Sequence, residues 1–128
     1  MAGEIHICTN LPRFPETWTL DSGESGTAQV LTSYEQFAAN LHKADLLLVN
    51  GDPALVMKLA RLFLLNPKLK KPLVALDLVF RRPETFRMKV AALVKRYLLN
   101  QVDHFIHYFR DTGGYARYYG ITAERSSF

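Results

Sequence analysis

Three short apolar runs constrain this chain more than any other feature: Asp45 to Asn50, Leu73 to Asp77 and His104 to Phe109. Each ends in a small polar cluster and gives way to a helical pattern. Strands covered on both faces read as near-continuous apolar runs, and a helix-length segment between them is what a parallel crossover requires. The rhythm predicts an α/β fold with a mostly parallel sheet. In such sheets ligands bind in the crevice outside the carboxyl ends of the strands. The groups following the runs are therefore the candidates for function: Asn50, Gly51 and Asp52; Asp77; Arg110 and Asp111.

With 128 residues, 48% of them hydrophobic, the chain has material for one core. Residues 1–128 are expected to form a single Rossmann-like domain of three layers, a helical layer on each side of the sheet. The single cysteine, Cys8, excludes an internal disulfide framework, and the start lacks the basic and apolar segments of a signal peptide. A cytoplasmic location is expected. No apolar run approaches the roughly 20 residues that span a bilayer.

Net charge is +4, unevenly spread. Met1 to Val56 holds two basic and seven acidic residues, a net of −5; Met57 to Asn100 holds eleven basic and two acidic, a net of +9; the remainder balances at three against three. A basic middle third favours an anionic partner, whether phosphate, lipid head group or nucleic acid. The plainer account is that these cations solvate two exposed helices.

Along the chain, Glu4 to Cys8 reads as a first strand and Thr9 to Gly26, with its prolines and glycines, as a long loop. Within it the Gly23-Glu24-Ser25-Gly26 segment makes a weak phosphate cradle, since no helix follows it directly. Ala28 to Leu31 is a second strand candidate. Ser33 and Gln36 form a capping-box pair ahead of a helix over Tyr34 to Lys43. Pro53 opens the next helix, which should stop at Asn66-Pro67, and a basic loop follows over Lys68 to Lys71. The next helix, Glu84 to Asn100, carries Phe86, Val90, Leu93, Val94 and Tyr97 at the spacing of an apolar face. Arg82, Lys89 and Arg96 border that face, as a helix lying on an anionic membrane surface requires. The alternative is an ordinary amphipathic helix packed on the sheet by the same residues. Val102 to Phe109 reads as a strand, Thr112 as a cap and Gly113 to Tyr119 as a short helix. Ile121 to Phe128 reads as the approach to an element that is missing.

Few residue sets here carry chemistry unaided. His104 and His107 are three apart on a strand and point to opposite faces, and His6 and His42 have no ligand set nearby, so no metal site is expected. Cys8 is a small buried hydrophobe more readily than a nucleophile. Nucleophile-elbow, Walker and dinucleotide fingerprints are lacking, and no cofactor is expected. Asp77, at a strand's carboxyl end, suits a general base or a partner for a hydroxylated ligand, with turn capping as the competing role. Asp52 divides likewise, capping favoured. Arg110 and Asp111 precede a helix start whose backbone N–H groups suit a phosphate or carboxylate, with Gly113 and Gly114 permitting close approach, and a simple helix start is the favoured account. Tyr108, Phe109, Tyr115, Tyr118 and Tyr119 near Arg110 and Arg117 suit stacking. Nucleic-acid binding is nonetheless not expected, because it needs those residues to share a surface with the basic middle.

Val102-Asp103-His104-Phe105-Ile106, then Arg110-Asp111 and the close Tyr118-Tyr119-Gly120-Ile121, resembles the last strand and helix of the amino-terminal domain of GT-B glycosyltransferases. The runs from Ala44 to Gly51 and from Lys71 to Asp77 look like that family's successive βα units, so the resemblance covers about Ala44 to Arg125. It implies an acceptor-binding half with Asp77 facing the cleft and a basic helix similar to the region by which many such enzymes touch membranes, here the inner face. Two departures stand out. No glycine-rich loop follows the first strand near Thr9 to Arg13, and the nucleotide-sugar domain with its paired glutamates is missing. The resemblance thus implies a partner domain that supplies the donor site. The runner-up is a noncatalytic α/β module that binds a phosphorylated ligand or a protein at the same strand ends.

Overall fold

A computed structural model of the chain describes residues 4–77, 84–106 and 126–127. Its elements are β1 (Ile5–Thr9), β2 (Thr17–Thr19), β3 (Ser25–Val30), α1 (Tyr34–Asn40), β4 (Leu46–Asn50), α2 (Pro53–Leu65), β5 (Leu73–Leu76), α3 (Phe86–Leu99), β6 (His104–Ile106) and β7 (Ser126–Ser127). The strands form one sheet in the order β2-β3-β1-β4-β5-β6-β7. Every neighbouring pair is parallel except β2 with β3. The chain is thus a mixed α/β fold with a mostly parallel sheet, as the apolar rhythm predicts.

Each helix begins where its local chemistry satisfies the first free N–H groups. Ser33 Oγ accepts from Gln36 N–H at 3.3 Å, Asp52 Oδ1 from Leu55 N–H at 3.1 Å and Thr85 Oγ1 from Met88 N–H at 3.1 Å. The returning half of the expected capping box is displaced by one residue: Gln36 Oε1 accepts from Thr32 N–H at 2.7 Å. α2 ends at Leu65 before Asn66-Pro67, as its sequence requires.

The core lies on one face of the sheet. Register places Cys8, Leu47, Val49, Leu73, Ala75 and Phe105 side by side across four strands, all within 1% of full burial. Against them pack Phe37 and Leu41 from the α1 segment, Leu55, Val56, Leu59 and Phe63 from α2, and Ala92 and Leu99 from α3. The opposite face carries the alternate residues, of which Leu46, Leu48, Val74 and Ile106 are half-buried and Ile7, Thr9 and Leu76 are buried. Among the described residues no helix covers that side, so two layers are seen where three were expected.

Two aspartates pin the entry of neighbouring strands in the same manner. Asp45, one residue before β4, accepts from the His6 N–H of β1 at 2.8 Å. Asp103, one residue before β6, accepts from the Leu73 N–H of β5 at 2.8 Å and from Lys70 Nζ at 2.6 Å. Charge-assisted bonds of this kind fix register at a strand's start. The Ala-Asp and Val-Asp dipeptides that carry the family resemblance therefore have a structural role of their own.

Three expectations need correction. Thr9 to Gly26 is not one long loop: its second half is an antiparallel hairpin in which Gly23, at φ +92°, closes a turn with its N–H on Leu20 C=O at 2.9 Å. Gly23 to Gly26 therefore serves as turn and strand and not as an anion cradle. Ile121 to Phe128 does not stop short of its element, because Ser126–Ser127 pairs with β6. The third correction is to α3. The apolar residues expected to pack it on the sheet are exposed, Phe86 by 83%, Leu93 by 66% and Tyr97 by 61%. Ala92 and Leu99, on the other side of the helix, make the core contact instead. Through these two residues α3 joins the core beside α2.

Candidate functional site

Along the carboxyl rim of the sheet, the backbone ladder continues past the strands. Gly51 N–H donates to Leu76 C=O at 2.8 Å and Asp77 N–H to Ile106 C=O at 2.7 Å. Both residues turn the chain with positive φ, +60° for Gly51 and +52° for Asp77. Glycine adopts that region freely, whereas for other residues it is uncommon and costs about 1 kcal/mol or more. Aspartate is among those that tolerate it best. Asp77 is half-buried, and its carboxylate makes no hydrogen bond or ion pair to another described residue. Among the described residues predicted for the site, it is the carboxylate with no hydrogen-bond or ion-pair partner.

Next to it lies a bracket that the strand pattern does not announce. β1 has β3 on one side and β4 on the other, so the chain's direction of progress across the sheet reverses there. A crevice opens at such a reversal. Here Asn10, one residue beyond β1, spans it: its Oδ1 accepts from Asn50 N–H at 2.7 Å and its Nδ2 donates to Asn50 C=O at 3.0 Å. Asn50 is thereby held by its backbone, and its own Oδ1 is shielded without a partner among the described residues. Asn10 was missed as a site residue. Its signal was the polar residue closing the apolar run Ile5 to Cys8, masked by the loop that follows.

Beyond Asn10, Pro12 and Arg13 make a turn in which Phe14 N–H donates to Leu11 C=O at 3.3 Å. Proline at the second position presets the φ this turn needs. Leu11, Pro12, Arg13, Phe14 and Pro15 line an open hollow of about 440 Å³. Its walls are almost entirely apolar.

Other candidates fall away or lie elsewhere. Asp52 is the cap of α2, which commits one carboxylate oxygen to Leu55 N–H. Arg110, Asp111 and Arg82 lie outside the described residues, as do His107 and the aromatic cluster from Tyr108 to Tyr119. Lys89 and Arg96 are exposed on α3. Among the described residues no three metal-ligating side chains come together. No described helix is long and apolar enough to cross a membrane.

Cys8 is fully buried in β1, and that burial raises its thiol pKa, with Lys43 pulling weakly the other way. A group whose folded pKa is raised stabilises the fold below its unfolded pKa, and that contribution is lost as pH climbs through the folded value. The thiol is kept protonated and out of reach. Native chain is expected to react with an aromatic disulfide reagent at least about a hundredfold more slowly than chain in denaturant. Comparable rates would place Cys8 on an accessible surface.

The chain matches no protein-family model, no curated protein and no solved structure.

Proposed function

We propose that this chain is the acceptor-binding half of a glycosyltransferase, a Rossmann-like domain that works with a separate domain carrying the nucleotide sugar. The observation that carries the reading is Asp77: a carboxylate at a strand's carboxyl end, in the left-handed conformation, with no described partner. Uncommon backbone conformations that the surrounding ladder enforces concentrate at functional positions. The parallel strands count 2-1-3-4-5-6 across the sheet, an order whose reversal point opens a ligand crevice beside β1.

In transfer, an acceptor hydroxyl attacks the anomeric carbon of the donor, forming a C–O bond as the nucleotide departs with the electron pair of the bond that breaks. Asp77 takes the hydroxyl proton as general base. Asn10 and Asn50 hold the rim beside it in fixed register, and the hollow from Leu11 to Pro15 receives the less polar part of the acceptor. Donor recognition lies with the other domain.

Asp77→Asn is expected to lower transfer by about 10²- to 10⁴-fold in the two-domain enzyme, with the thermal midpoint of this chain unchanged. Unchanged turnover would remove Asp77 from the mechanism. A second reading, a noncatalytic module, draws on the capping role of Asp52 and the internal satisfaction of Asn10. It predicts that a phosphorylated ligand binds equally well to the wild type and Asp77→Asn, with no sugar transfer in the presence of any donor domain.

A further inference from the structure

α3 has two apolar faces, and among the described residues only one of them meets the core. Ala92 and Leu99 meet the core, and Phe86, Val90, Leu93, Val94 and Tyr97 form a continuous stripe on the opposite side, all exposed. At about 100° per residue, Arg87 borders this stripe on one side and Lys89 and Arg96 on the other. All three are exposed, with Lys95 further round, and the helix contains no acidic residue. A row of large apolar side chains facing outward costs solubility unless something covers it.

We infer that α3 docks this domain on an anionic lipid surface, its outward stripe entering the boundary between head groups and acyl chains while Arg87, Lys89 and Arg96 pair with lipid phosphates on both sides. The arrangement of charge selects the occupant. Packing α3 against α3 of a second copy would bring cations against cations with no acid on either helix to relieve them. An acyl layer accepts the stripe, and the negative head groups beside it accept both rows of cations, whose stems lie along the apolar boundary. α3 lies flat on the surface in this arrangement, since its length and charge do not allow it to span. The inference rests on α3 alone and holds whether or not the strand-end site transfers sugar.

The test is co-sedimentation of the full chain with vesicles of neutral phosphatidylcholine, with and without about one-third phosphatidylserine, at low and high salt. Binding is expected only with the anionic lipid, weakening with salt as surface attraction is screened. Lys89→Glu with Arg96→Glu should reduce the bound fraction about tenfold or more. Leu93→Ser with Val94→Ser, which leaves charge untouched, should reduce it comparably. These positions are exposed, so circular dichroism and Trp18 emission should match the wild type in both variants. Absence of binding to anionic vesicles overturns the inference. So does loss with the charge variant but not the serine variant, which would mean adsorption without insertion. A concentration-dependent dimer abolished by the serine variant, in a chain that ignores vesicles, would show that a second copy covers the stripe.

Discussion

Gly26→Ala is expected to lower the stability of the chain by about 3 kcal/mol, the upper end of the range for overpacking a filled site. Gly26 sits in β3 between two partners, with β1 on one side, where it faces Ile5, and β2 on the other, where it faces Trp18. A Cβ built there overlaps the Ile5 carbonyl oxygen and the Trp18 indole. The indole is itself tied down, its Nε1–H donating to Thr27 C=O at 3.2 Å. The ring can shift at some cost, whereas the carbonyl moves only if the β1/β3 register opens. Trp18 is the single tryptophan, so urea unfolding followed by its emission reads both effects: a lower midpoint and a red-shifted native spectrum. Removing the indole as well, by Trp18→Ala followed by circular dichroism, should return only part of the loss, because the backbone clash stays. A midpoint equal to that of the wild type would show that β1 and β3 are not held at this distance.

The second large effect is expected at Phe63, 1% exposed on the core face of α2. Phe63→Ala removes a ring from a filled core and should cost about 3–5 kcal/mol, a large share of the roughly 5–15 kcal/mol available to a typical domain. For a chain of this size the melting point should fall by about 10–20 °C. The loss reaches beyond the core. Lys70 Nζ lies 5.3 Å from the ring centroid and also donates to Asp103 Oδ2, the oxygen that holds the Leu73 N–H at the start of β5. Hydrogen exchange at Leu73 should therefore accelerate beyond the global change in Phe63→Ala. Phe63→Leu, which keeps most of the volume, should cost about 1.5 kcal/mol or less. Equal losses in the two variants would mean that the site collapses around any side chain and that ring volume is not what matters there.

Where the sequence was legible, local chemistry and burial agreed. Asp52-Pro53 and Asn66-Pro67 bound α2 because proline is favoured in a first helical turn and excluded after a last one. The apolar runs at Leu46 and Leu73 became central strands because their residues are near-continuously apolar. Asp77 was readable as a rim residue from its place after Leu73 to Leu76. The hairpin was not, because β2 is three residues long with an exposed, half-buried, exposed pattern and gains its order from pairing with β3. Asn10 was hidden for a related reason: its bond to Asn50 spans 40 positions of chain, and no local pattern encodes it.

α3 draws the line most clearly. Periodicity alone determined that the segment from about Glu84 to Asn100 holds a helix and that one side of it is apolar, since both follow from a 3.6-residue repeat within a single segment. Which side meets the core was decided by the tertiary structure. The space beside α2 takes Ala92 and Leu99, and the larger stripe is left facing out. A hydrophobic face states that something must cover it, and only the packing of the other elements determines whether that cover comes from within the chain.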